Sequence, residues 1–218
     1  MSLVDVGYLI EILPPLLGAT LITVRIAVLA FGLSLLIGLG FALLRLSRHR
    51  NIANGVFALT EAIRLSPLLV QLFFAYYVLP EAGISLPAEP TGILVIGLHY
   101  ATYTSEVFRS GILAMQRGQW EAAASLGLRG WIVWRKIILP QAIRPMIPAL
   151  GNYLIQLFKE VPLLSTITVY ELLNTANLLA GQSFRYLEVM TVVALIFLVI
   201  SYGSSRLIAR LETGRGSP

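Results

Sequence analysis

The 218-residue sequence contains no cysteine, which excludes a disulfide framework, a thiolate zinc site and a cysteine nucleophile. Charge is almost as scarce. Only 12% of the residues are Asp, Glu, Lys or Arg, while 57% are apolar and the mean hydropathy is +0.81; a soluble domain carries about a quarter charged residues. A water-soluble core that apolar would leave large greasy patches in solvent, so a soluble globular domain is excluded. Lysine occurs only as Lys136 and Lys159, and neither follows a glycine loop. Without a G-x-x-x-x-G-K-[ST] segment the chain has no means of cradling ATP. His49 and His99 stand apart in different settings, and no Ser/His/Asp arrangement rises above chance. No metal, cofactor or catalytic centre is expected.

What is present is a series of long apolar stretches, with room for one compact membrane domain and no second folded module. The first runs from about Leu16 to Leu44, uncharged from Ile26 onward. It is far longer than a signal-peptide core and no basic segment with a small-residue cleavage site precedes it, so a retained transmembrane helix is expected. Four further spans are expected at about 54–79, 91–115, 140–160 and 189–208, several carrying a charge. Between the last two, Val161–Glu188 is too polar to span cleanly and reads as a short re-entrant or interfacial helix.

Orientation follows from the loop Arg and Lys residues. Arg45, Arg48 and Arg50 lie after the first span; Arg109, Arg117, Arg129, Arg135, Lys136 and Arg144 lie around the third connection; Arg206, Arg210 and Arg215 lie in the tail. Twelve of the sixteen basic residues thus fall on one side, with Lys159 and Arg185 opposite and Arg25 and Arg64 inside spans. This predicts five spans with the N-terminus outside and the C-terminus in the cytoplasm. The +5 net charge is then the positive-inside pattern, which removes the case for nucleic acid.

The longest cytoplasmic connection, about 116–139, carries the most information. Glu121 to Leu126 is good helix former at nearly every position. Gly127 or Gly130 can supply the left-handed residue that ends a helix. Ala122 and Ala123 are small enough for a partner backbone to approach, while Trp120, Leu126, Trp131 and Trp134 offer apolar anchors. Pro140 suits the first turn of the next membrane helix. A short helix, a turn, a second amphipathic helix and re-entry are predicted. An interfacial helix resting on the inner leaflet would have the same composition.

The spacing adds a resemblance. Glu121-Ala122-Ala123, three residues, Gly127, nine residues, Ile137-x-Leu139-Pro140 resembles the cytoplasmic "EAA" signature of binding-protein-dependent ABC importer permeases. Arg64-Leu65-Ser66-Pro67-Leu68-Leu69-Val70-Gln71, Tyr103-Thr104-Ser105-Glu106-Val107-Phe108-Arg109, Gly118-Gln119-Trp120-Glu121-Ala122 and Leu139-Pro140-Gln141-Ala142 are similar to the polar amino-acid branch, which includes importers of histidine, glutamine, arginine and ectoine. The likeness covers about residues 14–210. It implies an all-α type I ABC importer permease, non-catalytic, in the bacterial cytoplasmic (inner) membrane, with a coupling helix that docks on a separate ATPase subunit. Glu121 would be the polar contact and Gly127 the turn. An extracytoplasmic solute-binding protein and a second permease subunit, identical or paralogous, are the other implied partners. The sequence departs from the branch pattern at Leu65-Ser66, where Gly-Thr is usual, and at Glu160-Val161-Pro162-Leu163, where a small polar run is usual. The 165–188 stretch looks most like the ectoine-type offshoot.

Ionisable groups in spans tend to face a cavity or a partner. Glu61, Arg64, Leu68 and Gln71 recur at helical spacing, as do His99, Tyr103, Glu106 and Ser110, and as do Asn152, Gln156 and Lys159 with Glu160 beside them. Three such stripes suit a water-filled path for a zwitterionic solute. Glu61–Arg64 and Glu106–Arg109 also suit structural ion pairs, the stripes also suit contact with a second permease subunit, and Arg25 can snorkel or pair with one of these carboxylates. The alternative function is a secondary transporter or channel using its buried carboxylates, although no convincing internal repeat is found.

Overall fold

The computed structural model describes residues 5–213, all helix and connecting turns. Helix α1, Val6–Arg45, is a single 40-residue rod, about 60 Å at 1.5 Å per residue. It begins ten residues earlier than the apolar run, despite Pro14 and Pro15. Asp5 caps it, accepting from the Gly7 and Tyr8 amides at 3.0 and 3.4 Å, which satisfies donors that would otherwise be orphaned. Ile12 and Leu16 then bury that early segment against Leu172, Ala176, Ala180, Val189 and Val193.

The second apolar stretch is not one straight helix. It breaks into α2, Arg50–Leu65, and α3, Leu68–Phe73 with its continuation through Ala82, bent by 99°. Pro67 is the cause: the residue before a proline is pushed out of the helical region, and Ser66 sits at φ −90°, ψ 140°. Gln71 stitches the corner, its Nε2 donating to the Ile63 and Ser66 carbonyls at 2.6 and 3.1 Å and to Ser66 Oγ at 2.7 Å. Glu61 and Arg64 therefore do not share one continuous helix face with Leu68 and Gln71.

Helix α4, Ala88–Leu113, runs parallel to α1 and is its main packing partner. The seam is made of small residues. Ala27, Ala30, Ser34, Gly38 and Ala42 form a buried stripe on α1, and a Cβ at Gly38 would sit 2.9 Å from the Ala101 carbonyl. Thr104 Oγ1 donates across the seam to the Ser34 carbonyl at 2.8 Å. Small residues let backbones approach where lipid offers no hydrophobic drive to association. Charges close both ends: Arg25 bonds both oxygens of Glu89 at 2.6 and 2.8 Å, and Arg45 reaches Glu106 at 2.6 Å. Arg25 therefore pairs with Glu89, not with a carboxylate of the stripes.

After α5 (Arg117–Ser125) and α6 (Gly130–Val133), α7 (Leu139–Glu160) returns antiparallel to α4. A tight turn over Val161–Ile167 and left-handed Thr168 lead to α8, Leu172–Ser183, and then to α9, Tyr186–Thr213. Glu171 is fully buried and caps α8, accepting from the Leu173 and Asn174 amides at 3.0 and 2.8 Å, while the Leu172 amide donates to Thr23 Oγ1 of α1 at 3.0 Å. By length and composition α1 and α9 can cross a membrane, and a third crossing is available if the bent pair counts as one. Helix α4, with 26 residues, and α7, with 22, carry more polar side chains.

The start of α1 is clamped to the α8–α9 turn. Arg185 bonds Asp5 at 3.1 Å and lies 4.5 Å over the Tyr8 ring, whose hydroxyl meets Ser183 Oγ at 2.6 Å. The Arg185 hydrogen bond, aided by the Tyr8 and Gly7 amides, holds the Asp5 carboxyl below its ordinary value of 3.8. A carboxyl depressed in the folded state stabilises it above the unfolded-state value and loses that contribution as pH falls through the folded-state value. The clamp is thus expected to be indifferent to pH from roughly 5 to 8 and to loosen only in stronger acid. Amide exchange in the first turns of α1, corrected for intrinsic rates, should match at pH 5 and 7 and rise at both in Arg185→Gln.

Candidate functional site

Two regions of the fold carry chemistry that packing alone does not require. The first is the 114–139 connection. Helix α5 ends in a paired reverse turn: the Gly127 amide donates to the Ala124 carbonyl at 2.9 Å and the Leu128 amide to the Ala123 carbonyl at 3.1 Å. This is the Schellman arrangement, which needs a left-handed residue after the cap, and Gly127 supplies it at φ +65°. Of the two candidate glycines, Gly127 is the turn and Gly130 begins α6.

A small core holds the hairpin together. Ala123, Val133 and Ile138 are buried, with Met115, Trp120, Leu128, Trp134 and Ile137 packed round them. Trp120 meets Trp134 edge to face at 5.4 Å. Ala123 therefore faces its own chain rather than a partner, and these two tryptophans are internal rather than free anchors. Ala122 and Glu121 are exposed, as are Leu126 at 75% and Trp131 at 70%. Leu139 is partly open, and Pro140 lies in the first turn of α7 as its missing N–H allows. Residues 134–138 form a widened turn that carries α6 directly into α7, so α5, its core and α7 are one continuous body.

The second region is a polar and aromatic face formed by α2, α4 and α7. Arg64 donates to Glu61 at 3.0 Å and to the Thr102 carbonyl at 2.8 Å, and its guanidinium lies 5.2 Å from the Tyr103 ring centre. Tyr103 neighbours Tyr100, Tyr153 and His99 at 5.8, 5.5 and 5.5 Å between ring centres. The far side of Tyr100 meets Glu160 at the end of α7. His99 Nδ1 contacts Gln71 Oε1 at 3.2 Å. Arg64 Nε and Glu160 Oε2 are buried with no hydrogen-bond partner among the described residues, and buried polar groups left unpaired are costly.

The stripe residues therefore divide. Arg64, Glu61, His99, Tyr103 and Glu160 come together. Gln71 joins them through His99, but its amide nitrogen is committed to the Ser66–Pro67 bend. Glu106 lies apart, held between Arg45 and Arg109. Asn152, Gln156 and Lys159 are exposed on the adjoining face of α7, and none makes an ion pair among the described residues. Both expected structural ion pairs, Glu61–Arg64 and Glu106–Arg109, are formed. The sequence reading missed Tyr100 and Tyr153. Their signals were present: Tyr100 is three residues from Tyr103, and Tyr153 is seven from Glu160, so each shares a helix face with a residue already singled out. No three His, Asp or Glu residues converge on a metal-sized site among the described residues.

Comparison with known proteins agrees with this architecture. Residues 30–215 match the family described as the inner membrane component of binding-protein-dependent transport systems. A probable amino-acid ABC transporter permease of Sinorhizobium fredii is 44% identical over 217 residues, covering 98% of this chain and 94% of that one. A nopaline transport system permease of Agrobacterium fabrum is 35% identical over 218 residues, covering 95% and 90%. Among solved structures, an amino acid ABC transporter crystallised with histidines superposes with a TM-score of 0.88 at 33% identity, covering 98% and 99% of the two chains.

Proposed function

The chain belongs to the family of inner membrane components of binding-protein-dependent transport systems, and from that membership we propose that it imports a polar amino acid or related zwitterionic solute through alternating access driven by a separate ATPase subunit. In this reading the exposed edge of α5 docks on the ATPase. Glu121 is its polar contact, Ala122 permits close approach, and Leu126 and Trp131 flank the Gly127 turn. Ile137, Leu139 and Pro140 carry the movement into α7.

The observation that carries the proposal is the mechanical continuity of that path. A helix with an exposed working edge is pinned by its own small core to the root of α7, and the other end of α7 holds Glu160 on the polar face. A displacement of α5 by the ATPase therefore moves one wall of that face. Such a coupling has meaning only if the partner contacts the two states differently, which ATP binding and release supply.

For the membrane we propose five crossings with the N-terminus outside. Arg25 and Arg45 on α1, like Glu89 and Arg109 on α4, are twenty residues apart, about 30 Å of helix and thus one hydrocarbon thickness. With these paired charges at the two interfaces, the Arg-rich α5 connection lies in the cytoplasm. The polar faces of two subunits, identical or paralogous, enclose the path, and an extracytoplasmic binding protein delivers the solute to it.

The test is ATP hydrolysis in proteoliposomes containing this chain co-purified with its ATPase. Loaded binding protein with glutamine, histidine, arginine or ectoine should stimulate hydrolysis in the wild type. Glu121→Arg should cut that stimulation about tenfold or more, since it sets a reversed charge at a docking edge. Flux that follows a proton or sodium gradient without ATP would instead establish the secondary-transporter alternative.

A further inference from the structure

We propose that α2 is an interfacial helix lying along the inner leaflet, and that Arg48 and Arg50 at its start seat the headgroup of an anionic phospholipid. The inference takes from the importer reading only the orientation that puts the α1–α2 turn on the cytoplasmic side.

The direction of α2 follows from its neighbours. Beyond the bend, α3 and its continuation climb alongside α4. Gln71 meets His99, and further up Tyr77 donates to the Thr166 carbonyl at 3.2 Å, in the turn whose Leu164 packs on Gly92. With α3 antiparallel to α4, α2 at 99° to it lies across the bundle instead of along it. Its depth is fixed from both ends. Arg64 bonds the Thr102 carbonyl, and Arg45, paired with Glu106, lies 5.0 Å from the Phe57 ring centre. Glu106 is only about 4.5 Å of helix from Arg109, the charge placed at the inner interface.

The faces of α2 suit that position. Ile52, Val56, Leu59 and Ile63 form an apolar stripe at helical spacing, with Arg50, Asn54 and Glu61 on the opposite side. Thr60, the buried residue of the helix, lies between the two. Ile52 and Leu59 accordingly stay 44% and 50% exposed, open to acyl chains. A helix with an apolar stripe and a basic polar side settles in the interface plane and is held there by anionic headgroups.

Charge selects the kind of lipid. Arg45, Arg48, Arg50 and Arg109 gather where α1 turns into α2 beside the lower end of α4. Glu106, shared by Arg45 and Arg109, is the one carboxylate paired with any of them among the described residues. Four guanidiniums against one carboxylate leave three positive charges. Arg48 and Arg50 are exposed and make no ion pair among the described residues. A guanidinium fork matches a phosphate, and a headgroup with net negative charge also offsets the excess, which a zwitterionic one cannot. A docking edge for a soluble protein stands clear of the bilayer, as that of α5 does; here the charge adjoins an apolar stripe at headgroup depth. The same helix ends in Arg64, so a lipid held at its start also steadies that arginine on the polar face.

The chain has no cysteine, so Asn51→Cys accepts one fluorophore beside the site and Ile84→Cys one beyond the outer end of α3. Each is assembled with a cysteine-free ATPase in phosphatidylcholine nanodiscs. Quenching by phosphatidylglycerol or phosphatidylcholine, nitroxide-labelled near the top of the acyl chain, gives the relative affinity at each label. At position 51 phosphatidylglycerol is expected to be preferred about fivefold, and at position 84 not at all. Arg48→Gln with Arg50→Gln should remove the preference at 51, and Arg48→Lys with Arg50→Lys should keep most of it. Size exclusion verifies that both pairs are folded. Equal quenching by the two lipids at 51, the same preference at 84, or a preference that survives in the glutamine pair overturns the assignment. Loss of the ATPase from the glutamine pair with the lipid preference intact also overturns it and gives the surface to the ATPase. ATP hydrolysis stimulated by loaded binding protein in the same nanodiscs reports on the importer reading independently.

Discussion

Gly38→Leu is expected to destabilise the fold by about 3 kcal/mol, the upper end of ordinary overpacking, while Gly40→Ala, two residues along the same helix, leaves it unchanged or slightly more stable. The contrast follows from what a side chain would meet. A Cβ at Gly38 collides with Thr104 Oγ1 and lies 2.9 Å from the Ala101 carbonyl and 3.0 Å from the Ser105 amide. Two of these three are backbone atoms of α4 and cannot rotate away. Thr104 is equally constrained, because its hydroxyl donates to the Ser34 carbonyl and also contacts the Ala101 carbonyl. The two helices must therefore move apart, and the seam of Ala27, Ala30, Ser34 and Ala42 opens with them. At Gly40 a Cβ meets nothing within 4 Å, so only the helix preference of alanine over glycine, about 1 kcal/mol, remains. Thermal unfolding in detergent, followed by tryptophan fluorescence, measures both. A Gly38→Leu protein that melts with the wild type would show that the α1–α4 contact is not a determinant of stability.

The features that sequence reveals and those it hides separate on physical grounds. The 114–139 hairpin was legible because each step is local. Helix formers precede a glycine that satisfies a reverse turn, and a proline enters the next helix where it has no hydrogen bond to lose. The bend at Ser66–Pro67 was equally local, since Pro67 announces it, but the apolar run continues through the corner and hydropathy smooths it away. The early start of α1 was hidden by Pro14 and Pro15. Those prolines are outweighed by the Asp5 cap and by the burial of Ile12 and Leu16 on helices more than 150 residues later in the chain, and no local rule foresees such distant packing. Arg25 pairing with Glu89 and Glu171 capping α8 beside Thr23 are tertiary facts of the same kind. On the polar face, helical spacing selected Arg64, Tyr103 and Glu160, which the fold brings near one another around Tyr100. It could not register that Gln71 is held by the bend or that Glu106 is held by two arginines, because both depend on which helix arrives alongside.

Gly127→Val should leave the ATPase bound less tightly and reduce solute-stimulated hydrolysis and uptake to about a tenth or less, while the membrane helices remain folded. Gly127 stands at φ +65°, a conformation that costs an L-residue roughly 1–2 kcal/mol, and a β-branched one more. Valine relieves that strain by leaving the left-handed region. Doing so breaks the two bonds that close α5, Gly127 to Ala124 and Leu128 to Ala123, and withdraws Leu128 from its place over Ala123 in the small core. What remains to direct α5 is the Trp120–Trp134 edge contact and the hydrogen bond that Gln141 Nε2 donates to Gln119 Oε1 at 3.3 Å, since its N-terminal cap makes no side-chain hydrogen bond. The exposed edge bearing Glu121 and Leu126 then has a looser orientation relative to α7, and on the proposed coupling the closure of the ATPase would displace the wall that carries Glu160 less. Gly130→Ala provides the control, since a Cβ there meets nothing within 4 Å and the residue opens α6 without a left-handed conformation. If both glycine variants couple normally, α5 does not transmit the movement. If Gly127→Val alone fails, and its thermal unfolding matches the wild type, the defect lies in the direction of α5 and not in the fold, because the substituted turn lies outside the three membrane-packed seams that α1, α4 and α7 provide.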